Sequence, residues 1–245
     1  MRDGSPKTPI WKAIADALRS DLAEGRYCAG DKLPTEAALA ERFGVNRHTV
    51  RHGVSVLVEE GLIRTRRGAG AFVATTPTDY PIGKRVRFHE NLAAAGRRPQ
   101  KRPLLLEERT ATAAEAKVLG LLQGDLVCAY SGISLADGQP IAIFESLFPL
   151  DRLPGITSAL RGAQGVTEAL SSIGVSDYSR ASTRLTAVRA TATQALHLQI
   201  SEGDPLLRSS GINVDETVQP VEYGRTWFAG DRVTLTLGGE LDAKP

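Results

Sequence analysis

At 245 residues the chain is long enough for two modest domains, and its 42% apolar and 24% charged content is ordinary for a soluble globular protein. A net charge of +2 is too small to argue for nucleic acid by itself. Cys28 and Cys128 lie far apart, which excludes a disulfide framework and suits a reducing cytoplasm, and no apolar run reaches the roughly 18 residues of a membrane span.

Residues 1–6 have no apolar signal core and read as a short disordered tail. Residues 9–24 read as a first helix: Pro9 suits a first turn, Ile10, Ile14, Leu18 and Leu22 recur every four residues, and Gly25 ends it. Thr35 is a good N-cap for a second, short helix with Leu39, Ala40 and Phe43 on one face, closed by Gly44. Asn46 caps a third helix whose apolar stripe is Val50, Val54, Leu57 and Val58. Short helix, glycine-containing turn and second helix form a helix-turn-helix pattern.

The third helix opens with Arg47, His48, Thr49 and Arg51, largely off its apolar stripe. A recognition helix directs such residues into the major groove. Arg47 and Arg51 have the reach and donor fork for guanine or phosphate, while Thr35, His48 and Thr49 suit phosphate. Taken alone, this helix favours the reading as a solvated polar face. The next segment changes that. After Gly61, residues 62–64 and 71–73 are short β-like runs around Arg66, Arg67, Gly68 and Gly70. A basic, glycine-containing hairpin directly after a helix-turn-helix reads as a wing, with arginines drawn to the minor groove and glycines permitting close approach. His48 and His52 are four apart on a helix, but no Cys or acidic cluster joins them, so no metal site is assigned.

Three motifs with fixed spacing agree in order: residues 30–36 (Gly-Asp-Lys-Leu-Pro-Thr-Glu), 43–51 (Phe-Gly-Val-Asn-Arg-His-Thr-Val-Arg) and 68–73 (Gly-Ala-Gly-Ala-Phe-Val). Through them, residues from about Trp11 to Val73 closely resemble the winged-helix domain of the GntR superfamily of bacterial transcriptional regulators. The resemblance implies DNA contacts from Thr35, Arg47, Thr49, Arg51 and Gly70. Two departures stand out. Ala37 occupies a position where many members have Arg. Gly53 lies where the family commonly has Ala, which should cost the helix roughly 1 kcal/mol.

Residues 77–84 read as a linker, polar at the start and holding Pro77 and Pro81. A repeat then appears at an offset near 79 residues. Residues 87–96 align with 165–174, 124–126 with 203–205, 132–135 with 211–214, 139–141 with 219–221, and Phe148 with Phe228. Each copy reads as helix (88–95; 166–173), strand (104–109; 183–188), helix (113–119; 192–198) and hairpin. The first hairpin turns on Asp137-Gly138, the second near residues 215–217, and a last strand falls at 233–237. Two such halves should share one antiparallel sheet with helices on one side, an α+β domain.

Residues 88–90, 135–142 with Glu145, and 221–223 with 230–232 carry a second resemblance, to the UTRA effector-binding domain with its chorismate-lyase-like fold. Residues 80–82, 87–92 and 132–140 are most similar to the regulators of phosphonate metabolism within that group. The resulting division is 1–76 winged helix-turn-helix, 77–84 linker and 85–241 effector-binding domain.

Both repeat helices begin at matching positions, and helix starts suit anions. Arg87, His89, Arg180, Ser182, Arg184 and Arg225 are candidate partners for an anion there; Lys84, Arg85, Arg97, Arg98, Lys101 and Arg102 are left as surface or DNA-facing charge. Arg180 and Arg184 share a face only if their segment stays a strand throughout. The resemblance further implies ligand contacts at or beside Phe88, His89, Ser134, Glu145 and Glu222. Sugar-phosphate-sensing members carry arginines where this chain has Gly132 and Ser134, so a phosphonate- or phosphate-type anion is expected over a sugar phosphate.

The sequence thus reads as a cytoplasmic transcriptional regulator, a repressor, with an operator duplex and a small anionic effector as partners, no cofactor and no catalytic residues; the resemblance and half-site geometry further imply a homodimer. Two alternatives remain. An enzyme on the lyase-like fold requires an acid–base or nucleophile constellation, and no such motif is found. A constitutive architectural DNA binder with a vestigial second domain would be indifferent to every ligand.

Overall fold

The computed structural model describes residues 9–237 apart from 67, 69, 75, 76 and 86; of Arg66 it describes the backbone only. The reading of residues 1–6 as a tail, the candidate Arg67, the Arg66 side chain and the domain end at 238–241 lie outside the described residues. Contacts divide the chain into two units, Met1–Thr76 and Pro77–Pro245.

The first unit is α1 (Ile10–Ala23), α2 (Glu36–Phe43), α3 (Arg47–Glu59) and a hairpin of β1 (Ile63–Arg66) and β2 (Gly70–Val73). Its helix ends form where the side chains dictate. Thr35 Oγ1 accepts from the Ala38 amide at 3.2 Å, Gly44 closes α2 at φ 64°, and Asn46 Oδ1 accepts from the Thr49 amide at 2.8 Å. Leu18, Leu39, Val50, Leu57 and Ile63 meet in one apolar core. Gly53 sits where α3 crosses α1: a Cβ there would lie 2.9 Å from the Trp11 carbonyl oxygen and 3.1 Å from Ile14. Close helix approach, which alanine would block, accounts for the departure. His52 stacks on Trp11 with ring centroids 4.4 Å apart, pointing it at α1.

The second unit is built on a six-stranded antiparallel sheet in the order β4 (Pro99–Thr110), β5 (Leu126–Ala136), β6 (Gln139–Pro149), β9 (Pro220–Ala229), β8 (Pro205–Val214), β7 (Ser179–Arg189). The two repeats form its two halves, joined between β6 and β9. Both carry the same capping box. Thr112 and Glu115 cap α5 (Ala113–Leu119); Thr191 and Gln194, 79 residues on, cap α8 (Ala192–Leu198). The first hairpin turns on Asp137 at φ 50° and Gly138 at φ 80°, both left-handed.

Two readings are corrected and one element is added. Helices cover both faces of the sheet, not one. α5 and α8 pack on Val127, Ala129, Ile133, Ile143 and Leu147. α4 (Phe88–Ala94), α6 (Ile156–Gly162) and α7 (Val166–Ser172) pack on the opposite side, against Tyr130, Phe144, Phe148 and Phe228. Odd and even positions of β5 and β6 are both apolar, so each face needs a cover. Helix α6 was not anticipated. Within residues 77–84, Thr78–Pro81 forms β3, which pairs in parallel with β10 (Val233–Thr236) and buries Tyr80. Alternate burial of only four residues is too short a signal to read as a strand.

Candidate functional site

In the first unit, the starts of α2 and α3 and the hairpin enclose a hollow of about 490 Å³. Thr35, Glu36, Ala37, Arg47, Thr65, Gly68 and Gly70 line it. Gly68 and Gly70 adopt φ of 75° and 106°, which glycine alone takes freely. Arg47 and His48 are exposed at the first turn of α3. Thr49 Oγ1 is 3.0 Å from Asn46 Oδ1. Arg51 is also exposed but engaged: its Nε and Nη2 donate to the two Glu36 oxygens at 2.9 and 2.6 Å.

In the second unit a pocket of about 90 Å³ lies on the sheet face covered by α4 and α7. Its floor follows from register, since directly paired residues share a face. Lys101 pairs with Ser134, Arg180 with Asn213, and Asn213 with Glu222. Phe88 and His89 from α4 and Val166 and Thr167 from α7 form the rim. The two helix starts approach closely because residue 165 is glycine; a Cβ there would lie 2.8 Å from the His89 ring.

Charge in this pocket is unbalanced. Glu222 is buried and accepts from Ser146 Oγ and Asn213 Nδ2, each at 2.6 Å. Lys101 places its ammonium 4.7 Å from the centre of the Phe144 ring and 5.6 Å from that of Phe88. Burial pushes its pKa down to about 8, with the Glu222 charge acting against that. Arg180 reaches in across Gly211, and its buried Nε has no hydrogen-bond partner among the described residues. His89 is shifted below its ordinary value by burial and then by the Lys101 charge, with Glu168 opposing. Tyr178, whose hydroxyl lies 2.8 Å from Thr167 Oγ1, is pushed up to about 12 by burial.

Of the residues named from sequence, Phe88, His89, Ser134, Arg180 and Glu222 meet here. Five do not. Arg87 turns to Glu90 at 3.1 Å and Asp177 at 3.7 Å. Glu145 and Arg225 pair with each other at 2.7 Å on the opposite face, since Glu145 neighbours the pocket-facing Ser146 and side chains alternate. Ser182 and Arg184 are exposed on that opposite face too. A β-bulge between Arg180 and Ser182 inserts one residue and reverses the alternation, so Arg180 and Arg184 part company.

Lys101, read from the sequence as surface or DNA-facing charge, lines this pocket, as do Ser146, Tyr178 and Asn213, none of them named as site residues from the sequence. The repeat carried the signal: Lys101 and Ser134 stand 79 residues before Arg180 and Asn213. The same offset links Gly132 to Gly211, each covered by a side chain. A Cβ at Gly132 would meet Phe144 at 2.8 Å, which closes off the place an arginine clamp would occupy.

A winged helix-turn-helix in one unit and a small charged pocket in the other define the class as transcriptional regulator. Residues 11–73 match the profile of bacterial regulatory proteins of the gntR family, and residues 94–234 that of the UTRA domain. An HTH-type transcriptional regulator of Rhizobium meliloti, described as uncharacterized, is 35% identical across 93% of this chain and 94% of its own. The "Probable transcriptional regulator PhnF" of Escherichia coli is 31% identical across 93% and 94%. The crystal structure of PhnF from Mycobacterium smegmatis superposes with a TM-score of 0.65 at 24% identity, covering 94% of this chain and all of that one, and shares the fold. The chain belongs to the GntR family of bacterial transcriptional regulators and carries a UTRA domain. Regulators of this family bind DNA and small-molecule effectors, and several more distant relatives are described as repressors. No helix among the described residues is long and apolar enough to cross a membrane.

Proposed function

We propose that the protein is a repressor that binds a pseudo-palindromic operator as a homodimer in the cytoplasm, through Thr35, Arg47, His48, Thr49, Arg51 and the hairpin glycines. A small anion of phosphonate or phosphate type in the second unit's pocket controls it, by shifting the dimer between geometries of different DNA affinity. It acts as a sensor and not as an enzyme. The observation that carries this reading is the pair of repeat-related cations, Lys101 and Arg180, aimed into one pocket with a single carboxylate, Glu222, beside them. Two half-buried positive charges against one buried carboxylate among the described lining residues leave a site that an anion completes. The small volume favours a compact ligand, since drug-sized sites occupy roughly 300–1,000 Å³. Free Cys28 and Cys128 suit the cytoplasm.

The test is thermal stability of the purified protein against alkyl- and aminoalkyl-phosphonates, inorganic phosphate, sugar phosphates and imidazole-type acids. A ligand at a hundred times its Kd stabilises by ~2.7 kcal/mol. Stabilisation by a small phosphonate or phosphate, lost in Arg180→Met, is expected. Stabilisation by sugar phosphates or imidazole acids alone would overturn the effector class, and no response to any anion would overturn the anionic site.

A further inference from the structure

Glu36 is a carboxylate on a surface otherwise rich in cations. It is the first residue of α2, and it stands among the cations of the α3 start. Arg51 donates two hydrogen bonds to it, and Arg47 and His48 add their fields. A negative charge on a surface that faces phosphates repels them and weakens binding to every duplex alike. Helix-start electrostatics favour an acid there, but they do not require the side chain to reach across to α3.

The hydrogen-bond geometry supplies a reason. A guanidinium offers five N–H groups along two kinds of edge. Glu36 takes the side edge, Nε at 2.9 Å and Nη2 at 2.6 Å. That leaves the end edge, formed by Nη1 and the outer N–H of Nη2, facing away from the carboxylate. The end edge is a two-donor fork, and the N7 and O6 acceptors of guanine in the major groove match such a fork. Arg51 lies one turn beyond Arg47 on α3, away from the buried Val50 and Val54.

We propose that Glu36 is a specificity-determining positioning residue: it clamps the side edge of Arg51 so that the end edge is presented to one guanine of the half-site. This rests on the reading of α3 as the helix that enters the major groove. Glu36 then works in opposite directions on two quantities. It lowers affinity for DNA in general and raises discrimination for the operator. An unclamped arginine reaches many phosphates and many bases; a clamped one is held in the orientation that guanine rewards.

The experiment uses the full-length chain and duplexes enriched by the wild-type protein from a randomised pool, with a scrambled duplex as reference, at one fixed salt concentration. Glu36→Gln keeps the shape and removes the charge. Its ratio of enriched to scrambled affinity is expected to fall about tenfold, a bidentate base contact being worth roughly 5- to 150-fold in discrimination, while its affinity for the scrambled duplex holds or rises. In an Arg51→Ala background, Glu36→Gln should leave the ratio unchanged. If Glu36→Gln instead raises affinity for both duplexes equally, Glu36 only repels phosphate and the proposal fails. It fails also if both affinities drop together with the melting temperature, which marks a folding role, or if the ratio falls as far in the Arg51→Ala background. The underlying reading of α3 has its own signature of failure: no sequence would be enriched by the wild-type protein at all.

Discussion

Replacing Lys101 by methionine should stabilise the ligand-free protein while destroying its response to anions. Lys101 is half-buried, held between Phe88 and Phe144, and its pKa falls from 10.5 to about 8. At ~1.4 kcal/mol per pH unit, that drop corresponds to ~3 kcal/mol of unfavourable charge burial. Incomplete burial and the loss of attraction to Glu222 reduce the net gain to ~1–2 kcal/mol, or roughly 3–6 °C in Tm for a domain of this size. Met keeps the stem and fills the same space. The sign depends on pH. Below pH 8 the lysine is charged in both folded and unfolded chains, and the folded state bears the whole penalty. Between 8 and 10.5 the unfolded chain binds more protons, so wild-type stability rises with pH. The advantage of Lys101→Met is therefore full at pH 7 and fades to nothing by about pH 10.5. Urea denaturation of both proteins at pH 7, 9 and 10.5 measures it. A methionine variant that is less stable at pH 7, or whose advantage does not change with pH, would refute the reasoning.

Gly211→Ala puts a methyl against Arg180 Nη1 and 2.8 Å from the Ser182 carbonyl oxygen. Arg180 should leave the pocket, weakening anion binding at least tenfold by isothermal titration, since a hydrogen bond to a charged group is worth ~1.5–3 kcal/mol. Gly53→Ala gains ~1 kcal/mol in helix propensity but overpacks the α1–α3 crossing at ~1–3 kcal/mol. Urea melts of that variant should show no net stabilisation; a gain of ~1 kcal/mol would mean that the 2.9 Å approach to the Trp11 carbonyl relaxes freely. Arg109 holds the Glu115 carboxyl down to about 2, well below 4.5. That stability, roughly 2–3 kcal/mol, is present above pH 4.5 and is lost as pH falls through about 2. Glu115→Gln should flatten acid denaturation between those values, and an unchanged acid limb would contradict it.

The first unit was legible because its signals are local. Thr35, Gly44 and Asn46 end helices through contacts three or four residues away, and the apolar stripe of α3 faces the core it implied. The second unit was legible through its offset of 79 residues, which placed both hairpins and both capped helices. What escaped depends on register. One extra residue between Arg180 and Ser182 sends Arg184 to the far face, and nothing in Arg-Ala-Ser-Thr-Arg announces a bulge. Glu145 stands one position from the pocket face: its neighbour Ser146 is the residue that lines the pocket and donates to Glu222. Lys101 sat in a basic run that reads as surface, and only superposing the repeats would have matched it to Arg180.

The central claim is that an anion in this pocket controls binding of the winged helix to a particular DNA sequence. The most direct test is an equilibrium titration of the protein on the duplex upstream of its own gene and on a random duplex, at one salt concentration, with and without the anion that stabilises it. The account predicts a preference of at least ~10³ for the upstream duplex, altered roughly 5–150-fold by the anion. Equal affinity for both duplexes, or a preference that the anion leaves untouched, would contradict it.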